Sequence, residues 1–108
     1  MTLKAGELAK SILGVFRTQF KKDWPEIRAY AEAEAKKMAQ TLVQIEALRV
    51  KGKPESELSA LLQMQRNAMR AVLLTIQGLG LLAVEQAINA ALDVIRTAVN
   101  TALGFDLI

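Results

Sequence analysis

The chain has neither histidine nor cysteine. That removes zinc sites of the usual Cys/His type, disulfides, and every nucleophile that depends on an imidazole or a thiolate. Acid–base chemistry is left to eleven carboxylates, the lysines, Tyr30 and the hydroxyls. Glu32 and Glu34 stand two positions apart, so a helix points them to different faces and they make no catalytic pair. A Glu-x-x-His metal motif is excluded by composition. Gly78-Leu79-Gly80 lacks the third glycine and the preceding strand of a phosphate-binding loop. The sequence therefore assigns no catalytic, cofactor-binding or metal-ligating residue, and the expectation is a protein that is not an enzyme.

The most informative residues are polar ones at helical spacing. Gln63, Asn67 and Arg70 follow steps of four and three, and Gln77 continues the track. Glu85, Asn89, Asp93, Arg96 and Asn100 then follow with steps of four, four, three and four. Such steps follow one side of a helix. The other sides are mostly Leu, Ile, Val, Met and Ala, so a narrow polar line runs along a wide apolar body. Leu74 and Leu81 interrupt it, and Gln65, Arg66 and Gln86 lie off its centre.

Three uses fit that line. It faces water while the apolar body forms a core shared with other helices and a second copy. It lines a lumen between subunits in a membrane. Or its members pair with one another across a buried interface, as Glu85, Asp93 and Arg96 are equipped to do. Amphipathic helices are core elements far more often than pore linings, which favours the first. Against that, residues 71–84 carry no charge and extension to Leu92 adds only Glu85. A membrane span needs about 20 apolar residues, and a lone Glu inside one must face protein or water. Ala83, Ala87 and Ala91 add a ridge of small residues that allows close helix approach.

Trp24 beside Lys21 and Lys22 has the composition of an interfacial anchor, although a Trp at a helix junction more often staples the junction. Nucleic acid is a poor fit as partner. Cations in the second helix alternate with Glu, and aromatics are too few for a stacking platform. Lys51-Gly52-Lys53 reads as a solvated turn.

The elements that position these residues are helical throughout. A first helix is expected over 3–22, capped by Thr2, with Leu8, Ile12, Val15, Phe16 and Phe20 on one face. Asp23-Trp24-Pro25-Glu26 has the spacing of a capping box with proline in the first turn, so a second helix should run over 24–51. Ile27, Tyr30, Ala31, Met38, Leu42, Ile45 and Leu48 form its apolar stripe, with Glu32 and Lys36 paired on the wet face. Gly52 and Pro54 end it. Beyond, 55–77 and 81–103 are two helices broken at Gly78-Leu79-Gly80, or one helix about 73 Å long. Gly104 caps the end. Val72, Thr75 and Ile76 favour strands, but the alternation a strand needs is missing.

At 108 residues the chain fits one domain, 1–108. Its net charge of +3 is unevenly placed. Residues 1–54 form a basic amphipathic half, with eleven Lys/Arg against six Asp/Glu. Residues 55–108 form an Ala/Leu-rich apolar half, with three against five. Mean hydropathy of +0.21 is high for a small domain with much surface to keep wet. The early residues lack the continuous apolar run of a secretory signal, so a cytoplasmic or membrane-associated location is expected.

This cysteine-free, Ala-rich helical chain with an amphipathic beginning resembles small virion and envelope-inserting proteins of bacteriophages. The resemblance is one of style, implies an assembly or membrane role, and assigns no residue a function.

The expectation is an all-α bundle completed by oligomerisation, a structural protein whose main partner is itself. Leu61, Leu62, Leu73, Leu82, Ile88, Leu92, Ile95 and Val99 are the expected interface anchors. The alternative is a membrane-associated or conduit protein, with a lipid membrane or a larger assembly as partner. A third reading is a binding module that uses the second helix as its recognition surface.

Overall fold

The computed structural model describes residues 2–108 as four α-helices: α1 (Ala5–Gln19), α2 (Trp24–Val50), α3 (Glu55–Leu74) and α4 (Leu81–Leu103). A short 3₁₀ turn, Lys21–Asp23, joins α1 to α2. No strand occurs among the described residues. The apolar half is thus a hairpin and not one long helix. It breaks because α3 ends at Leu74 and Gly78 takes a left-handed φ of 93° in the turn.

Consecutive helices run antiparallel. Thr41 of α2 meets Gln65 of α3, and Arg70 of α3 meets Glu85 of α4. Residue Ser11 of α1 shares a groove with Val94, and Val15 one with Ala90, so α1 and α4 are antiparallel too. The bundle measures 42 × 22 × 18 Å. One end carries both the α1–α2 and α3–α4 connections. The other carries residues 2–4, the α2–α3 turn and the segment after α4.

Helical periodicity explains the core. Leu8, Ile12 and Phe16 of α1 meet Ile27, Met38, Leu42 and Ile45 of α2. Leu58, Leu62, Met69 and Leu73 of α3 and Val84, Ile88, Leu92, Ile95 and Val99 of α4 complete one cluster. The accessible surface is 6329 Å², near the roughly 5,900 Å² that a folded monomer of this mass exposes. Within the single chain these core residues form one continuous buried core.

The α2 terminus follows the expected chemistry. Gly52 adopts φ 86°, its N–H bonds the Arg49 carbonyl at 3.0 Å, and the Lys53 N–H bonds the Leu48 carbonyl at 3.1 Å. These two bonds make a Schellman motif. Gly104 likewise ends α4 in the left-handed region.

Two expected caps are not made. Asp23 precedes α2 but makes no side-chain capping bond, because its ψ of 12° belongs to the 3₁₀ turn and not to the extended backbone a cap needs. Thr2 does not cap α1, which begins after Lys4. Its hydroxyl reaches the Glu46 carboxylate instead.

Candidate interaction surfaces

Arg70, Glu85 and Asn89 of the polar line meet at the seam between α3 and α4, while Gln63, Asn67, Gln77, Asn89, Asp93 and Arg96 are exposed. Arg70 hydrogen-bonds Glu85, and Arg66 bonds Asn89 while lying 3.7 Å from the second Glu85 oxygen. Within α3, the Gln63 amide donates to Asn67 at 2.9 Å and Arg70 donates to Asn67 at 2.7 Å. On α4, Arg96 pairs with Asp93. Guanidinium forks suit such contacts, since each offers several donors in one plane.

The hydrogen bond from Arg70 holds the Glu85 carboxyl below the ordinary carboxylate range, against the upward push of burial; the charges of Arg70 and Arg66 add to it. The two arginines share this one carboxylate, so the cluster keeps one net positive charge. The groove beside them, about 510 Å³, lies between Ser59, Gln63, Arg66, Asn89, Asp93 and Arg96; Arg96 pairs with Asp93, and Arg66 shares Glu85 with Arg70.

The remaining members of the line do other work. Asn100 accepts from the N–H groups of Leu107 and Ile108, both at 3.0 Å, and donates to the Ile108 carbonyl at 3.1 Å. It folds residues 105–108 back against α4. Gln77 lies exposed in the α3–α4 turn. Eight of the nine are bonded to neighbours in their own chain.

The expected interface anchors are also placed differently. Leu62, Leu73, Ile88, Leu92, Ile95 and Val99 are buried in the chain's own core, and Leu61 is half-buried against it. Leu82 is 72% exposed. In the α2 stripe, Tyr30 points to water and Glu32 pairs with Arg28 at 2.9 Å in place of Lys36. Trp24 is half-buried between α1 and α2, while Lys21 and Lys22 are exposed beside it.

Three features were not anticipated. Glu46 is buried at the end of α2, where its carboxylate binds residues 2 and 3. Glu34 is buried on the core side of α2, and Lys37 reaches in to it at 3.2 Å. Arg49 donates to the Leu103 carbonyl at 3.2 Å and stacks over Phe105 at 4.7 Å, tying the end of α2 to the negative end of α4. Glu46 and Arg49 depend on partners distant in sequence, whereas Glu34 pairs with Lys37 three residues on.

One lateral face remains uncommitted. Along α1 and α4, the groove of about 360 Å³ is lined by Ser11, Gly14, Val15, Thr18, Gln19, Ala90 and Val94. None of these is charged, and Val94 is 60% exposed. Arg17 lines the α1/α2 groove and Asp93 the α3/α4 groove, while Lys4 and Glu7 line the next groove along the same α1/α4 face, beyond Ser11 and Val94. Among the described residues no His/Cys/Asp/Glu group of three could hold a metal ion. No described helix is long and apolar enough to cross a membrane.

Comparison of the chain with protein-family models, curated proteins and solved structures gives no match.

Proposed function

We propose that the protein is a non-enzymatic assembly subunit whose copies associate through α4, side by side across the α1/α4 face. The observation that carries this is the uncharged lining of that groove. In a two-fold contact the residues near the axis meet their own copies, so a charge placed there meets itself. The chain carries a net +3, and like charges brought together out of water are costly. This face offers small and neutral side chains from Ser11 to Gln19 and at Ala90 and Val94. Gly14 and Ala90 permit close backbone approach, and Val94 supplies exposed apolar surface.

The reading keeps α4 as the associating element but changes the contact residues. Core positions such as Ile88 hold the subunit together, and Val94 and Ala90 meet the neighbour. Mass measurement by light scattering without detergent tests it. The wild type should have a mass that is a multiple of 11.8 kDa. Val94→Asp and Ala90→Arg should return it to a monomer with unchanged helical circular dichroism. A wild-type monomer at every concentration that stays clear would sink the proposal.

A further inference from the structure

The end of the bundle that carries two chain connections combines two features separated in sequence. The first turn of α4 presents Leu81 at 58% exposure and Leu82 at 72%, and Leu74, the last residue of α3, is partly exposed at the same end. No charge occurs anywhere in residues 71–84. At the same end, the 3₁₀ turn between α1 and α2 exposes Lys21 and Lys22. Over residues 17–28, four cations face two carboxylates. Trp24 sits half-buried at the same junction. The bundle is only 22 × 18 Å across, so leucines and lysines meet any flat surface together.

We propose that this end docks on an anionic lipid surface, with Leu81 and Leu82 entering the headgroup region and Lys21 and Lys22 resting on the phosphates. Exposed leucines at a protruding turn lose contact with water when they enter a bilayer interface. Lysines flanking them gain from the negative surface potential. Charge selects this occupant over a second copy, since two such ends would bring Lys21 and Lys22 against their own copies. The opposite end exposes the single Val50, at 75%, beside Lys51 and Lys53, and the chain there continues into Glu55 and Glu57; among the described residues it has no cluster of exposed leucines. The contact is peripheral, because no described helix has the length and apolarity to span. It does not depend on the lateral association proposed above.

Vesicle flotation of the full chain tests the idea, with phosphatidylcholine vesicles alone and with one third phosphatidylserine. The expected result is recovery with the anionic vesicles only, weakening as salt is raised. Leu81→Ser with Leu82→Ser should lower the partition coefficient about tenfold or more. Lys21→Glu with Lys22→Glu should lower it about 25-fold or more. All four sites are exposed, so circular dichroism should be unchanged in both variants. Trp24 fluorescence supplies a readout that needs no variant, and should shift on addition of anionic vesicles. The proposal is overturned by a wild type that does not float, by equal recovery on neutral vesicles, or by variants that float like the wild type. It is overturned equally if the leucine variant changes the mass in solution and leaves flotation untouched, for then the leucines meet another copy. Loss of lateral association with flotation intact would remove the assembly reading alone.

Discussion

The carboxylate of Glu46 holds Thr2 across forty-four residues of sequence, accepting its backbone N–H at 3.0 Å and its hydroxyl at 2.9 Å on one oxygen. The other oxygen accepts the Leu3 N–H at 3.1 Å. Glu46 is only 4% exposed, so the ion is out of water and these donors replace its hydration. The contact pins the strand entering α1 against the end of α2 and lets Leu3 bury its side chain.

That clamp makes stability depend on pH. Burial pushes the Glu46 carboxyl up from 4.5, and the hydrogen bonds from Thr2 and Leu3 outweigh it, leaving the folded value below 4.5. A carboxyl with a depressed folded pKa stabilises the fold above its unfolded value and loses that contribution as pH falls through the folded one. Urea unfolding from pH 7 to pH 3 should show the wild type losing stability below 4.5. Glu46→Gln should cost about 1–3 kcal/mol at pH 7 and should remove part of the pH dependence. Parallel pH curves for the two proteins would refute the clamp.

Arg70 and Glu85 should couple within one chain. A double-mutant cycle of Arg70→Ala and Glu85→Ala should give about 0.5–1.5 kcal/mol, the pair being roughly a quarter exposed and so partly screened. The coupling should be the same at every protein concentration. Dependence on concentration would place the contact between subunits, as a lumen requires.

Exposure separates the core from the surface of α4. Ile88 is fully buried and Leu82 is largely exposed. Ile88→Asp should abolish folding of the single chain, since an unpaired buried charge costs several kcal/mol. Leu82→Asp should leave thermal unfolding within about 0.5 kcal/mol of wild type. Circular dichroism with heating distinguishes them, and loss of helix in both would show that Leu82 is packed in solution.

Two glycines should respond to alanine with opposite signs. Gly52 sits at φ 86° and makes the cap of α2, so Gly52→Ala should destabilise by about 1 kcal/mol or more. Gly14 lies within α1, and a Cβ there meets nothing within 4 Å. Gly14→Ala should raise stability by about 0.5–1 kcal/mol. The melting temperatures of the two variants check this directly.

Much of the helical architecture was legible from the amino acids. Leu8, Ile12 and Phe16 recur every four residues, and that spacing leaves one solution for a chain without strands. Gly52 before Pro54 marks the end of α2, because one residue accepts a left-handed cap and the other refuses continuation. Gly104 marks the end of α4 in the same way. Spacing also assigned the polar residues of α3 and α4 to one side of each helix.

Which way that side points was decided only in three dimensions. A periodic pattern fixes a face relative to its own helix axis, and says nothing of what lies opposite. Arg66 looked peripheral on α3, and becomes a seam residue because the hairpin at Gly78 sets Glu85 and Asn89 across from it. Leu82 and Val94 resembled the core leucines and valines, and were left outside by the packing of α1 against α4. Glu46 has the sequence surroundings of a solvated carboxylate, and is buried because residues 2 and 3 arrive from the other side of the bundle with two N–H groups and a hydroxyl. The sequence by itself determined the helices, the ends of α2 and α4 and the absence of imidazole and thiol chemistry, since those depend on local backbone preferences and on composition. The tertiary structure decided which carboxylates lie buried, which arginines are paired across the seam and which apolar residues remain exposed, because each of these depends on a partner brought from a distant part of the chain.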